Sequence, residues 1–318
     1  YTTWEKEVGV LEDLATEINA LLFPLAPEIK PQTTTGSVNP NLSPDGSKIA
    51  YGVPGERGGL YILPMESGPL AFRQNPKAVA QNTNSFDFSR AKFVWGPNSQ
   101  DLIARFEENG QITANILVDT NKSDNQLRDI TASLTSTISA WQLEIDNLAQ
   151  TQAVVVPDSV KGATQAAKPQ TSPSSPSPRA LLPTQGLFKE EQKAASDQLL
   201  NYYPTGLIFS PDEEKVLYQD KDSRYKVYDL KLKKEYTLPN FSDFIKISWF
   251  ADSNHLVVAQ KDQISIIEAD GANKMTVFSG KFENGFVFSH PSGSRLIILT
   301  TLTQTDGTRP NLYSINLR

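Results

Sequence analysis

The chain has 318 residues with a formal net charge of −6, and it contains 21 prolines, 18 glycines and no cysteine. The acidic balance argues against a nucleic-acid-binding protein, whose domain is normally basic with a clustered patch. The absence of cysteine excludes disulfides, thiolate metal sites and a cysteine nucleophile. The sequence has no run of 18 or more apolar residues, so it predicts no transmembrane helix.

Residues 2–23 have the pattern of an N-terminal helix. Apolar residues recur there at three- and four-residue steps, and Pro24 ends the pattern. One interpretation is a helix that packs on the rest of the chain. The other is a stalk or partner-binding helix displayed away from it. The chain begins at Tyr1 rather than Met, which leaves room for a lost N-terminal signal or membrane anchor.

One short phrase recurs along the rest of the chain. Ser-Pro-Asp-Gly at 43–46 stands between an apolar anchor and an aliphatic run, and Ser-Pro-Asp returns at 210–212. Proline sets the backbone of a type I turn, aspartate bonds nearby amides, and glycine tolerates a left-handed backbone. Each copy therefore predicts a strand, a tight turn and a second strand. The six anchors that begin a copy are Leu42, Trp95, Trp141, Phe209, Trp249 and Phe288.

The spacing of the copies predicts the fold. A third apolar run follows five of the copies, a weaker fourth follows several, and the last three anchors are 40 and 39 residues apart. Four short strands in roughly 40 residues make one blade of a β-propeller. The sequence therefore predicts an all-β, six-bladed β-propeller of four-stranded antiparallel blades, in which the copy at Trp141 has lost its turn residues.

The last copy shows only three strands before Arg318. An unpaired sheet edge favours association with other chains, so we expect a segment near residues 29–35 to supply a closing fourth strand. We assign residues 1–35 to the N-terminal helix and closing strand, and residues 36–318 to the β-propeller domain. Within that domain, residues 163–186 are rich in proline, serine and threonine and are predicted to form a disordered insertion.

The phrase at 43–46, followed by Ile49-Ala50-Tyr51, resembles the repeat of TolB-like and related WD-type bacterial β-propellers. The resemblance runs over roughly residues 38–318 and is sharpest at 39–65 and 206–318. The C-terminal half also resembles exported bacterial propeller proteins that have no assigned function. The resemblance implies a propeller fold and an extracytoplasmic location, whether periplasmic, on the cell surface or membrane-anchored. It implies no catalytic residue, because the shared motif is a turn.

Few residues show a pattern that catalysis or metal binding requires. His255 and His290 lie in turns of different copies without metal-ligand spacing, and we expect turn roles for both. Asp45, Asp212 and Asp252 recur at one place in the repeat. A ring of such carboxylates would suit Ca²⁺, although the turn already explains an aspartate there. The sequence predicts no catalytic, cofactor-binding or metal-binding residue and no cofactor.

We therefore expect a non-enzymatic, exported or envelope-associated platform that binds a protein partner and no nucleic acid. Propellers bind partners where their loops converge, and the long loop 72–90 carries Phe72, Phe86 and Phe88 as candidate partner-binding residues. The alternative for these rings is that they tuck against the blade. Two other functions remain open: a structural spacer of a surface assembly, and an enzyme with its site in the propeller channel.

Overall fold

A computed structural model of the chain describes residues 3–6, 20–65, 75–123, 127–165, 200–302 and 309–318. In these residues the strands form five four-stranded antiparallel sheets, which we number 1 to 5 along the chain. Three short 3-10 helices occur at Phe88–Arg90, Thr131–Ser133 and Glu283–Gly285. Within the described ranges, no helix combines the length and the apolar character that a membrane span requires.

Sheets 1 and 2 each use four strands that follow one another in the chain. Sheet 1 consists of β2 (Val38–Leu42), β3 (Lys48–Val53), β4 (Gly59–Pro64) and β5 (Lys77–Gln81). Sheet 2 consists of β6 (Lys92–Trp95), β7 (Asp101–Glu108), β8 (Gln111–Asp119) and β9 (Arg128–Asp129).

Sheets 3 and 4 follow the same order further along the chain. Sheet 3 consists of β10 (Ile208–Phe209), β11 (Lys215–Gln219), β12 (Tyr225–Asp229) and β13 (Lys234–Thr237). Sheet 4 consists of β14 (Phe244–Trp249), β15 (His255–Gln260), β16 (Gln263–Glu268) and β17 (Met275–Ser279).

Sheet 5 joins the two ends of the chain. It consists of β18 (Val287–Ser289), β19 (Arg295–Thr300), β20 (Asn311–Asn316) and the N-terminal strand β1 (Ile29–Pro31). Strand β1 pairs antiparallel with β20, so that Ile29 lies opposite Ile315. The predicted closing strand near residues 29–35 is therefore confirmed, and it covers the edge that β20 would otherwise expose.

Buried apolar clusters pack the sheets against one another in chain order. Separate clusters join sheet 1 to sheet 2, sheet 3 to sheet 4, sheet 4 to sheet 5, and sheet 5 back to sheet 1. Phe23 is fully buried in the cluster between sheets 4 and 5. This succession of four-stranded sheets, packed face to face, is the architecture of a β-propeller.

Two helices take up the space between sheets 2 and 3, where the sequence predicts a sixth blade. Helix α1 (Leu134–Val154) packs on Ile103 of sheet 2. The end of α1 and helix α2 (Asp158–Gln165) pack on Val216 of sheet 3. The predicted strand at Trp141 is therefore wrong, because the residues around it bury every third or fourth side chain, which is a helical period. Trp141 lies against Gly96, where an added Cβ would stand 2.9 Å from the indole.

The five sheets share one corner between their first and second strands. The residue at the tightest point of each corner has a left-handed backbone, at Gly46, Ser99, Glu213, Ser253 and Gly293. In sheet 5, Ser289 pairs with Leu296, whereas Trp249 pairs with Leu256 in sheet 4. Ser289 is therefore the residue equivalent to the other anchors. The predicted anchor of the last copy, Phe288, is wrong by one residue.

Some predictions lie wholly or partly outside the described residues. Of the predicted helix at 2–23, the structure describes residues 3–6 and 20–23, and neither segment is helical. Of the predicted insertion at 163–186, it describes only the last turn of α2. The division of the chain at residues 35 and 36 stays a prediction.

Candidate functional site

The repeated aspartates are used inside their own corners. The Asp45 carboxylate accepts the Ser43 hydroxyl at 2.6 Å and the Ser47 amide at 3.0 Å. Asp212 accepts the Ser210 hydroxyl at 2.6 Å in the same way. Burial works against ionisation, but these hydrogen bonds hold the pKa of both carboxyls below its usual value. No group of three or more metal-ligating side chains occurs in the described part of the chain.

Both histidines lie buried in corners. His255 is 3% exposed, its Nδ1 lies 2.7 Å from the Asp252 carboxylate, and its Nε2 has no hydrogen-bond partner among the described residues. His290 Nδ1 lies 2.7 Å from the Ser292 hydroxyl, and Arg295 donates to Nε2 at 2.9 Å. Burial and the Arg295 charge lower the pKa of His290 to about 4, so this imidazole is neutral at physiological pH.

The loop that precedes sheet 2 places its aromatic rings inward. Phe88 is fully buried in the cluster between sheets 1 and 2. Phe86 is half-buried and packs on Phe106 with ring centroids 5.0 Å apart. Phe72 lies outside the described residues. Phe88 therefore has no surface to offer a partner, and only the edge of Phe86 reaches solvent, so partner binding at this loop stays a prediction.

A polar group that the sequence did not single out lies on the other face of sheet 2. Alternate residues of β7 point to opposite faces: Leu102, Ala104 and Phe106 pack toward sheet 1, and Ile103 packs toward α1. Arg105 therefore lies on the α1 side. Its Cα partners across the sheet are Lys92 on β6 and Asn115 on β8. Lys92, Arg105, Glu107 and Asn115 together form what we call the Arg105 site.

The members of the Arg105 site differ in their exposure to solvent. Asn115 is 0% exposed, and the Arg105 side chain is 9% exposed. Toward solvent, Lys92 donates to a Glu107 carboxylate oxygen at 2.7 Å, and these side chains are 66% and 29% exposed. The other Glu107 oxygen is 3.9 Å from Arg105 Nη1, beyond hydrogen-bond distance. The site therefore consists of an exposed ion pair beside a buried guanidinium and a buried amide.

The buried groups of the Arg105 site have unused hydrogen-bonding capacity. Arg105 Nε and both polar atoms of the Asn115 side chain are buried, and none of them has a hydrogen-bond partner among the residues that the structure describes. A buried polar group left unpaired costs about 1–3 kcal/mol, and more when it is charged. Such groups are nearly always satisfied in native proteins by protein, water or a bound ligand. The site can therefore receive a molecule that supplies negative charge and hydrogen-bond partners.

A sequence signal for this site exists, but it is weak. Arg105 stands in the otherwise apolar run Leu102-Ile103-Ala104-Arg105-Phe106, and Asn115 stands in Ala114-Asn115-Ile116-Leu117. Each is a polar residue at a position where a strand buried on both faces would carry an apolar one. Their pairing depends on the strand register, which the spacing of the repeats does not define.

The chain is similar to several solved structures, each at low sequence identity. No known protein family and no curated protein matches it. TolB from Acinetobacter baumannii is 11% identical, with a TM-score of 0.29, over 91% of this chain and 54% of that one. The AtxE2 isopeptidase is 10% identical, with a TM-score of 0.40, over 92% of this chain and 51% of that one.

A third similar structure is an oligogalacturonate lyase in complex with manganese. It is 12% identical, with a TM-score of 0.33, over 89% of this chain and 78% of that one. The chain thus spans about half the length of the TolB and isopeptidase structures. These similarities are too low to bear on function, and we base the function on the residues of this chain.

Proposed function

We propose that the protein is a non-enzymatic binding platform that works outside the cytoplasm and recognises a protein partner through the Arg105 site. One observation carries the proposal: the Nε atom of the buried Arg105 guanidinium and both polar atoms of the buried Asn115 amide have no hydrogen-bond partner among the described residues. These groups recognise charge and hydrogen-bonding pattern. Neither a guanidinium nor a carboxamide serves as a nucleophile or general base at neutral pH.

The histidines support a binding role over a hydrolytic or lyase role. A general base must reach its substrate and titrate near the working pH. His290 is buried, accepts a hydrogen bond from Arg295 and has a pKa of about 4. His255 is buried against Asp252 in its own corner. The proposed location outside the cytoplasm rests on the resemblance of the repeat to TolB-like propellers and of the C-terminal half to exported propeller proteins.

The test is an affinity capture of the tagged protein from its own cell envelope, with the stoichiometry of every recovered protein measured. Each candidate is then purified and recombined with wild-type protein and with Arg105→Met. The matched control is Arg57→Met, which removes an exposed arginine from a loop of sheet 1. We expect one partner near one-to-one whose binding weakens at least tenfold in Arg105→Met and is unchanged in Arg57→Met.

Three results would contradict the proposal. Recovery of the tagged protein alone, over a range of salt and protein concentrations, would remove the platform role. Regular self-association between copies would favour a structural spacer. A partner that binds both arginine variants equally well would place recognition elsewhere on the molecule.

A further inference from the structure

We infer that the Arg105 site takes a carboxylate that carries an amide N–H on the adjacent carbon, as at the C-terminus of a peptide. This inference rests on the proposed function and names the chemistry of its ligand. It follows from the atoms left unpaired among the described residues: the Nε–H group of the cationic Arg105 guanidinium, and the donor Nδ2 and the acceptor Oδ1 of the Asn115 carboxamide.

The match is one of donors and acceptors. A carboxylate accepts two parallel N–H bonds from a guanidinium, the geometry that arginine recognises best. It has lone pairs left for the Asn115 Nδ2–H group. The Asn115 Oδ1 atom needs a donor, which a carboxylate lacks and which a neighbouring amide N–H supplies. Acetate and sulfate ions offer no such donor, so each would leave Oδ1 unpaired.

The spacing of the two residues suits such a ligand. Arg105 and Asn115 are directly opposite each other on β7 and β8, and opposite residues on one face of a sheet have Cβ atoms about 4.5–5.5 Å apart. In the proposed ligand a single carbon separates the carboxylate from the amide N–H, so both groups lie close enough together to meet side chains that converge from neighbouring strands. One small group can therefore contact both side chains at once.

The carboxylate of Glu107 already lies near Arg105. It is held by Lys92 at 2.7 Å and lies 3.9 Å from Arg105 Nη1. An incoming carboxylate must displace or pass this like charge, because both compete for Arg105. We therefore expect Glu107→Gln, which keeps the shape and removes the charge, to tighten binding about three- to tenfold, whereas Glu108→Gln at the neighbouring exposed position leaves binding unchanged.

The experiment titrates the purified full chain with three small probes at constant ionic strength. N-acetylglycine carries the carboxylate and the amide N–H, acetate carries only the carboxylate, and N-acetylglycinamide carries only the amides. The observable is the ¹⁵N-detected shift of the Arg105 Nε–H and Asn115 side-chain signals. We expect saturable binding of N-acetylglycine, at least tenfold weaker binding of acetate, and no binding of N-acetylglycinamide.

Variants separate the contributions of the two side chains. Arg105→Met should weaken the binding of N-acetylglycine at least tenfold. Arg105→Lys keeps a cation without the planar guanidinium and should weaken the binding by less. Asn115→Leu should weaken both N-acetylglycine and acetate by removing the Nδ2–H contact to the carboxylate, and it should abolish the preference for N-acetylglycine because the Oδ1 partner of the amide N–H is lost. Arg57→Met should match the wild type. The wild-type titration decides the question even if a core variant fails to fold.

Two ligand sources share this chemistry, and a fourth probe distinguishes them. N-acetyl-Ala-Ala-Gly with a free carboxylate should bind more tightly than N-acetylglycine if the ligand is a peptide C-terminus. If the tripeptide does not bind but N-acetylglycine does, the ligand is a small acylated amino acid and the peptide assignment is overturned.

Failure of the inference is distinguishable from failure of the proposed function. Absence of saturation by any probe, or equal binding by wild type and Arg105→Met, would show that water alone fills the site and would overturn the inference. Those titrations contain no partner protein. The platform role would then be judged by the envelope capture alone.

Discussion

The indole nitrogen of Trp249 donates a hydrogen bond to the backbone carbonyl of Ile208 at 2.8 Å, and this bond joins sheet 4 to sheet 3. Trp95 makes the equivalent bond to Asn41 at 3.1 Å, between sheets 2 and 1. In both cases the acceptor is the residue before the anchor of the preceding sheet. The large anchors therefore do more than fill the core, because they also fix how neighbouring sheets sit against each other.

We expect Trp249→Phe to lower the free energy of unfolding by about 1–2 kcal/mol, since it removes the inter-sheet hydrogen bond and part of a buried ring. Urea unfolding followed by circular dichroism measures the change. The control is Trp141→Phe, since Trp141 is half-buried on helix α1. Equal losses in the two variants would show that the indole bond contributes nothing of its own.

Two corner serines contribute a second bond between sheets. The Ser253 hydroxyl accepts the Asp212 amide at 3.0 Å, and the Ser99 hydroxyl accepts the Asp45 amide at 3.1 Å. Ser253 has φ of 61° and Glu213, at the same position in sheet 3, has φ of 59°. Glycine relieves the strain of such a backbone, so serine is retained there at a conformational cost.

Glycine substitutions at these two positions should therefore have opposite effects. Glu213→Gly is expected to stabilise the fold by up to about 1 kcal/mol, because it removes left-handed strain and no inter-sheet bond. Ser253→Gly is expected to be neutral or to destabilise by about 1 kcal/mol, because relief of strain is offset by the lost bond. Thermal unfolding of both variants tests this, and stabilisation of equal size in both would refute the role of the hydroxyl.

His290 should make stability depend on pH. Its pKa falls from 6.5 to about 4 on folding, through burial and the Arg295 charge. In the unfolded chain the His290 imidazole therefore binds a proton below about pH 6.5. In the folded chain it binds that proton only when the pH falls to about 4. In that interval stability should fall with decreasing pH by up to about 1.4 kcal/mol per pH unit, and no further dependence from this group is expected above pH 7.

The check is chemical unfolding from pH 4.5 to 7.5 for wild type and His290→Ser, which copies the serine present at the equivalent positions 43 and 210. The variant should show a flatter profile. Identical slopes would mean that other groups cause the acid sensitivity.

The N-terminal residues dock on sheet 4 through a buried carboxylate. Glu268, whose side chain is 7% exposed, accepts Trp4 Nε1 and Lys6 Nζ, each at 2.5 Å. Glu268→Ala should loosen this segment, because Trp4 loses its acceptor and Lys6 keeps only the Asp270 carboxylate, 3.0 Å from its Nζ. Limited proteolysis followed by mass spectrometry should then cut near Lys6 faster than in wild type. Glu283→Ala serves as the control, and unchanged cleavage in Glu268→Ala would contradict this docking.

The repeat made much of the fold predictable from sequence. The corners, the four-strand order and the closing strand at Ile29–Pro31 all follow from local turn chemistry and from the need to cover a sheet edge. The same pattern was misleading at Trp141, where an aromatic residue and a later leucine imitate the anchor spacing inside a helix. Periodicity over so few residues does not separate a short strand from a helical segment.

The candidate site was much less predictable. Phe88 belongs to the core, because an aromatic residue in a polar loop can turn inward as easily as outward. The Arg105 site depends on which residues face each other across three strands and on which face the helices cover. That information is tertiary, so only the sheet register and the burial of Asn115 could reveal it.

The most direct test of the binding role is native mass spectrometry of the full protein released gently from its own envelope fraction. We expect a complex of one copy with one additional component, which dissociates when excess N-acetylglycine is added. A mass equal to the bare chain under all release conditions would contradict the binding role, whereas a complex that N-acetylglycine leaves intact would overturn only the assignment of the ligand at the Arg105 site.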